Sequence, residues 1–360
     1  MRPLSSMALL IGCALAAVAA RAETPPPAAD ASGGLQRPPD SIPSDAPEIS
    51  PLSPDEIGAW RERWLAFLFG GELPLERPPL IVREVGRDER GGIERTHIRY
   101  EVEPGVETEA YILRRSDGAE RRPGVVVFHS TSAETIGQSG SLDPAEDRHI
   151  GAHLALRGYV VIAPKCYLWG AAGQAPPPNP GRAFWEGEVE KMQGRHPRWK
   201  GMARMVWDGI RAVDALVARN DVDAARIGCI GHSLGAKESL YLAAFDRRVK
   251  AAVSSDGGIG LRLSNWEAPW YLGAEIRSPE FSLENHQILA MIAPRAFLLV
   301  AGRDDNERSW PFIAGALPLW RSLGAADAVG WFRHGAGHNW PPEAQEAGYA
   351  FLDRFLMRRQ

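Results

Sequence analysis

Short apolar runs with no polar alternation constrain this chain more than any other feature. GVVVF at 124–128 and YVVIA at 159–163 put apolar side chains on both faces of a strand, so each face must be covered. Further strand-like runs follow at Arg226–Gly231, Val249–Ser254, Phe297–Gly302 and Val329–Arg333. Helical stretches separate them. His149–Arg157, Ser233–Phe245, Asn285–Ile292, Trp310–Leu323 and Glu343–Met357 read as helices, and Gly201–Arg219 repeats its apolar residues at three and four. Ahead of these, Thr96–Val102 and Thr108–Arg114 alternate as an antiparallel pair. The order predicts an α/β fold, a mostly parallel, doubly wound sheet of about eight strands flanked by helices.

Residues 1–22 (MRPLSSMALLIGCALAAVAARA) read as a signal peptide. Arg2 leads an apolar run from Met7 to Ala20, and Ala20-Arg21-Ala22 closes it as a cleavage triplet. The run is too short to span a membrane. Export to the periplasm or the medium is expected, with a lipoprotein anchored at Cys13 as the alternative. Residues 23–53, rich in Pro, Ala, Ser and Asp, read as a flexible leader. Ser53-Pro54-Asp55 then starts a helix that runs through Trp60, Trp64 and Phe67 to Gly70-Gly71. Residues 54–360 read as one domain, with insertions near 166–200 and 257–284. Both leave strand C-terminal ends, the edge where open α/β sheets bind ligands.

Charge and cysteine usage exclude several classes. With 41 Lys+Arg against 45 Asp+Glu the net charge is −4, so no basic field attracts nucleic acid or anionic lipid. Three cysteines are too few for a disulfide scaffold or a zinc ribbon, and Cys166 and Cys229 read as buried free thiols. His149 and His153 share a helix face, yet no Glu follows His149, so the metalloprotease pattern is absent. Neither a metal nor an organic cofactor is expected.

The chemistry-bearing motif is Gly231-His232-Ser233-Leu234-Gly235, preceded by a strand and followed at once by a helix. A turn this tight needs nearly side-chain-free flanks, hence the glycines, and it lifts the Ser233 hydroxyl above the sheet. The Leu234 N–H then lies at a helix N-terminus, where it can receive a developing oxyanion. A serine nucleophile needs a base. His338, in Gly335-Ala336-Gly337-His338 between the last strand and the terminal helix, stands where the chain order Ser, acid, His puts it. His334 is the nearest rival. For the acid, Asp305 follows the strand Phe297–Gly302 at the favoured spacing, Asp304 is its neighbour, and Asp256 after the preceding strand is the alternative. The Thr131 N–H, in His129-Ser130-Thr131-Ser132, is the expected second oxyanion donor. Trp266, Trp270 and Trp340 leave strand C-terminal ends and are expected to border the mouth of the site.

At these residues the chain resembles an α/β-hydrolase over roughly residues 90–358. Within that superfamily it is similar to exported bacterial esterases of the dienelactone-hydrolase-like and acetylxylan-esterase-like kinds. The carrying segments are GHSLGAKESLYLAAFDRRVKAAVSSDGGIG, SNWEAPWYLG, NHQILAMIAPRAFLLVAGRDD and GAGHNWPPEA. Dienelactone hydrolases proper use a Cys nucleophile where this chain has Ser233. A more distant similarity is to glucuronoyl esterases, which share a Lys four residues after the nucleophile, here Lys237, and the run Leu289–Arg295. That resemblance implies an acid at Asp256 and a sugar contact at Lys237, but those enzymes carry Arg where Leu234 stands. The expected activity is hydrolysis of a carbohydrate-linked or small acyl ester, the partner being a small-molecule or polysaccharide substrate. A glucuronoyl-type esterase and a prolyl-oligopeptidase-like peptidase are the alternatives. From another class, a non-catalytic binding protein on a hydrolase scaffold would have lost a triad member, and none is missing.

Overall fold

The two runs without alternation lie at the centre of a nine-stranded sheet in a computed structural model. It describes residues 34–357 apart from 72, 74–76, 119, 146–147, 176 and 178–179. The expected signal peptide and Cys13 lie outside the described residues. The strands are β1 (Val82–Arg90), β2 (Ile93–Glu103), β3 (Val106–Arg115), β4 (Arg122–Phe128), β5 (Val160–Pro164), β6 (Val222–His232), β7 (Val249–Ser255), β8 (Ala296–Ala301) and β9 (Val329–Arg333). Their order is β1-β2-β3-β5-β4-β6-β7-β8-β9. The first three are antiparallel, β3 meets β5 antiparallel, and the rest run parallel. This is the α/β-hydrolase fold.

Strand register aligns the reactive edge of the sheet. His232 pairs with Ser255, Ser255 with Val300, and Ala301 with Arg333. The C-terminal ends of β6, β7, β8 and β9 therefore finish level, and their four loops emerge side by side. One strand was not legible in the sequence. Strand β1 (VREVGRDER) is exposed throughout and pairs through its backbone and surface ion pairs such as Asp88–Arg95, so no buried face imposes an apolar period on it.

The helices are α1 (Ile57–Phe69), α2 (Ile136–Ser139), α3 (Ile150–Leu156), α4 (Arg182–Arg195), α5 (Gly201–Val217), α6 (Leu234–Phe245), α7 (Asn285–Ala290), α8 (Trp310–Ser322) and α9 (Pro342–Leu356). Helix α6 is buried along its whole length, and α5 nearly so. The polar residues of α5 are therefore not a solvated face. Arg204 binds Asp208 at 2.8 Å and Glu103 of β2 at 2.7 Å, the pairing that a buried cation requires. Ser53 caps the N-terminal turn as expected, and Gly70 ends α1 with φ 72°. Trp64 of α1 is fully buried and donates its Nε1 hydrogen to Gln287 Oε1 at 3.1 Å, which docks the helix on α7. The first insertion carries regular structure of its own. It forms α4, whose Trp185 meets Trp169 and, at 5.2 Å between centroids, Trp270 of the second insertion. Cys166 and Cys229 are buried and unbridged. No helix of the described residues is long and apolar enough to cross a membrane.

Residues 34–53 depart from the expected flexible leader. They lie along α8 and β9 as a strap. Gln36 donates to the Val329 carbonyl at 2.8 Å, Leu52 N–H to the Gly315 carbonyl, and Arg308 grips Asp45 through two nitrogens. Composition misleads here because three apolar residues suffice: Leu52 is buried, and Leu35 and Ile49 seat over Gly330 and Gly315. A Cβ at Gly315 would come within 2.8 Å of Ile49 Cγ2. Burying parts of three aliphatic side chains stabilises by about 2–4 kcal/mol. A chain starting at Ser53 should thus melt several degrees below one starting at Gly34. Equal melting temperatures by calorimetry would show that the strap contributes nothing.

Candidate active site

Ser233 lies between the last residue of β6 and the first of α6, with φ 59°. That left-handed backbone is costly for a residue with a Cβ and persists only where the surroundings enforce it. Here they do. A Cβ at Gly231 would stand 2.4 Å from the Gly235 backbone, and one at Gly235 would stand 2.6 Å from the Phe128 carbonyl. The Ser233 N–H also donates to the Ser255 carbonyl at 2.8 Å, which ties the turn to β7. Ser233 Oγ then points at His338 Nε2 from 2.9 Å. His338 Nδ1 faces Asp256 Oδ2 at 2.5 Å. With Nε2 accepting from the hydroxyl, Nδ1 carries the hydrogen and donates to the carboxylate.

The carboxylate that faces His338 is Asp256, and the favoured candidate Asp305 is not in contact with the imidazole. Asp256 is fully buried in the loop after β7, with φ 53°. Its Oδ1 accepts the N–H groups of Gly302, Asp304 and Asp305 at 3.2, 2.8 and 2.8 Å. Burial pushes this carboxyl up, but the bonds from His338 and from the backbone outweigh it and hold it at about 2. The side chain of Asp305 turns away and accepts from Gly258 N–H, Ile259 N–H and Ser309 Oγ. Burial, reinforced by the charge of Asp256, raises it to about 6. Asp304 is partly exposed, pairs with Arg303, and stays 3.9 Å from His338 Nδ1. The loop at the favoured spacing presents its amides, not its carboxylates, to Asp256.

The loop after β4 is held from two sides. His129 donates from Nδ1 to the Ser130 carbonyl at 2.7 Å and accepts the Cys166 N–H on Nε2 at 3.1 Å. Burial lowers its pKa to about 4, so the ring is neutral and acts as a spacer between the loops after β4 and β5. Gln138 Oε1 takes the Ser130 N–H at 3.0 Å. Thr131 follows directly in this loop, and Leu234 stands at the start of α6. Neither His129 nor Gln138 was singled out from sequence, although a His directly after a buried strand was a usable signal. His232 packs 4.9 Å from the His338 ring, bonds Ser255 Oγ, and is held down to about 3 by burial and by His338. His334 is buried and accepts the Ala336 N–H. His149 and His153 are committed to local bonds with Asp143, Pro144 and Tyr349. Among the described residues no cluster of His, Cys, Asp and Glu could hold a metal ion.

The expected rim of tryptophans is not found. Trp266 is fully buried and donates to the Gly258 carbonyl at 2.6 Å. Trp270 is buried against Trp185, and Trp340 lies buried on the His232 ring. Long insertions need a core of their own, and these rings supply it. Lys237 is likewise enclosed. Its Nζ donates to the Gly257 carbonyl and to Ser264 Oγ, and lies about 5 Å over the rings of Trp266 and Tyr271. Burial lowers it to about 8, against the pull of Asp305, Asp304 and Asp256.

Comparison with known proteins agrees with this architecture. The sequence profile of the Dienelactone hydrolase family matches residues 108–291. The 4-O-methyl-glucuronoyl methylesterase of Hypocrea jecorina (strain QM6a) is 24% identical over 207 residues, 48% of this chain and 44% of that protein. The chain thus spans less than half the length of this relative. Among solved structures, a glucuronoyl esterase from Solibacter usitatus superposes with a TM-score of 0.63 at 17% identity, covering 87% of this chain and 98% of that one. A putative acetyl xylan esterase from Bacteroides fragilis NCTC 9343 gives 0.59 at 15% identity, covering 82% and 79%.

If Trp266 is a core residue, Trp266→Ala should destabilise by about 3–5 kcal/mol, the range for large aromatic truncations. Thermal denaturation checks this. An unchanged melting temperature with weakened binding of bulky esters would return Trp266 to the rim.

Proposed function

The chain belongs to the dienelactone hydrolase family, and on that basis we propose that it is a serine carboxylic-ester hydrolase acting through an acyl-enzyme on a carbohydrate-linked ester. The observation that carries the reading is the line from Ser233 Oγ through His338 to Asp256, 2.9 Å and 2.5 Å long. In this mechanism Ser233 attacks the ester carbonyl while His338 Nε2 removes its proton. Asp256 keeps the ring in the tautomer that can accept and stabilises the imidazolium that forms. The Leu234 and Thr131 N–H groups receive the negative charge on the carbonyl oxygen. His338 then protonates the departing alcohol, and water, deprotonated by the same imidazole, releases the acid.

Two features favour a glucuronoyl-type ester within this class. Asp256 after β7 is the acid position that the resemblance to glucuronoyl esterases implies, whereas Lys237, enclosed and bonded to Gly257 and Ser264, is not the sugar contact that it implies. The 4-O-methyl-glucuronoyl methylesterase relative points the same way as Asp256. Leu234 departs from the Arg of those enzymes. Acetylated xylan is the second reading, supported by the fold likeness to a putative acetyl xylan esterase. Export through residues 1–22 belongs to the proposal and would bring the enzyme to a polysaccharide outside the cell.

Ser233→Ala, His338→Ala and Asp256→Asn should each lower kcat by about 10³-fold or more, the cost of removing a member of such a unit. Ser233→Ala should also abolish labelling by a fluorophosphonate. On a panel of a glucuronoyl ester, acetylated xylan and p-nitrophenyl acetate, the first should give the highest kcat/KM. Native labelling of the Ser233 variant would reject the mechanism, and preference for acetylated xylan would select the second reading.

A further inference from the structure

The loops after β7 and β8, whose aspartates stand 49 residues apart, hold each other by their carboxylates. Asp256 accepts three N–H groups of the 302–305 loop on Oδ1. Asp305 accepts Gly258 N–H on Oδ2 at 2.7 Å, Ile259 N–H on Oδ1 at 2.6 Å, and the Ser309 hydroxyl at 2.9 Å. Both carboxyls are fully buried, and the loops are so close that a Cβ at Gly302 would stand 2.8 Å from Asp256 Cγ. Two buried anions this near repel each other, so the arrangement is a costly way merely to join two loops. What it supplies is direction. With Oδ1 of Asp256 saturated, Oδ2 faces His338 Nδ1.

We infer that Asp305 is a positioning residue: its carboxylate grips the 258–259 amides and thereby fixes the Asp256 carboxylate, and through it the imidazole of His338. This rests on the reading of Ser233, His338 and Asp256 proposed above. Ionisation strengthens the grip, because amide N–H bonds to a carboxylate are roughly twice as strong as those to a neutral carboxyl. Asp305 titrates at about 6, inside the near-neutral range in which histidine bases also titrate. The charged groups that face it are Asp256 on its partner loop, Asp304 beside it, Lys237 from α6, and His338 beyond Asp256. Ionised Asp305 thus holds the clasp above that pH, and protonation loosens it below. The acid limb of kcat/KM should therefore be steeper than a single ionisation.

Asp305→Asn keeps the shape but aims an amide NH₂ at one of the two N–H groups. It should lower kcat about 10–100-fold with KM within about twofold, the scale of a sub-ångström to ångström misplacement of reacting groups. Its acid limb should relax to one ionisation. A merely structural role would change yield and melting temperature and leave that slope intact. Ser309→Ala removes one of the three bonds and should move kcat the same way by less, so it carries the test if Asp305→Asn does not fold. Native kcat and a native acid limb in the folded variants overturn the inference. If Asp256→Asn abolishes turnover while those variants behave as native, this inference alone falls. If Asp305→Asn matches Ser233→Ala and Asp256→Asn retains turnover, the acid assignment fails and takes the inference with it.

Discussion

A single buried carboxylate organises the reactive end of this molecule. Asp256 has no exposure, and a charge so placed is tolerable only when its oxygens are fully engaged. Three amides of the 302–305 loop engage one oxygen and His338 the other. The loops after β7, β8 and β9 must converge for this to happen, and the level ends of those parallel strands make them do so. Ser233 joins through its N–H bond to Ser255, the residue just before Asp256. Ser233 and Asp256 thus share a backbone link as well as the imidazole.

Burial sets the protonation of the surrounding groups in a consistent way. His129 and His232 are pushed far below neutrality and are uncharged, and His338 is the histidine that meets Ser233 Oγ. Enclosure lowers the pKa of Lys237, yet three carboxyls and two aromatic faces keep the ammonium tolerable there. Its bonds to Gly257 and Ser264 brace the backbone next to Asp256 from the α6 side. Asp305 braces the same stretch from the β8 side. The acid loop is held from both neighbours.

Much of this was legible in the sequence, and the reasons differ by residue. Ser233 could be read because its constraint is local: a strand, two glycines and a helix admit one turn. His338 could be read because chain order after the last strand leaves one slot. Spacing favours Asp305 over Asp256, yet each sits one loop from the imidazole and only the tertiary orientation of the β8 loop decides which carboxyl faces it. The tryptophans of the insertions were misplaced for a related reason. An aromatic on a loop reads the same whether it lines a cleft or fills the loop's own core. The strap at 34–53 and strand β1 were hidden because neither carries an apolar period, one being anchored by three scattered side chains and the other by backbone pairing and surface ion pairs.

The bond between the His338 imidazole and the Asp256 carboxylate has a direct signature. A hydrogen held between Nδ1 of a histidine and a buried carboxylate gives a far-downfield proton resonance, assignable by ¹⁵N-labelling of histidine. In the native protein it should be present on His338. It should vanish in Asp256→Asn and survive, shifted, in Asp305→Asn. A resonance that survives the first substitution and disappears with the second would contradict the assignment of Asp256 at the root.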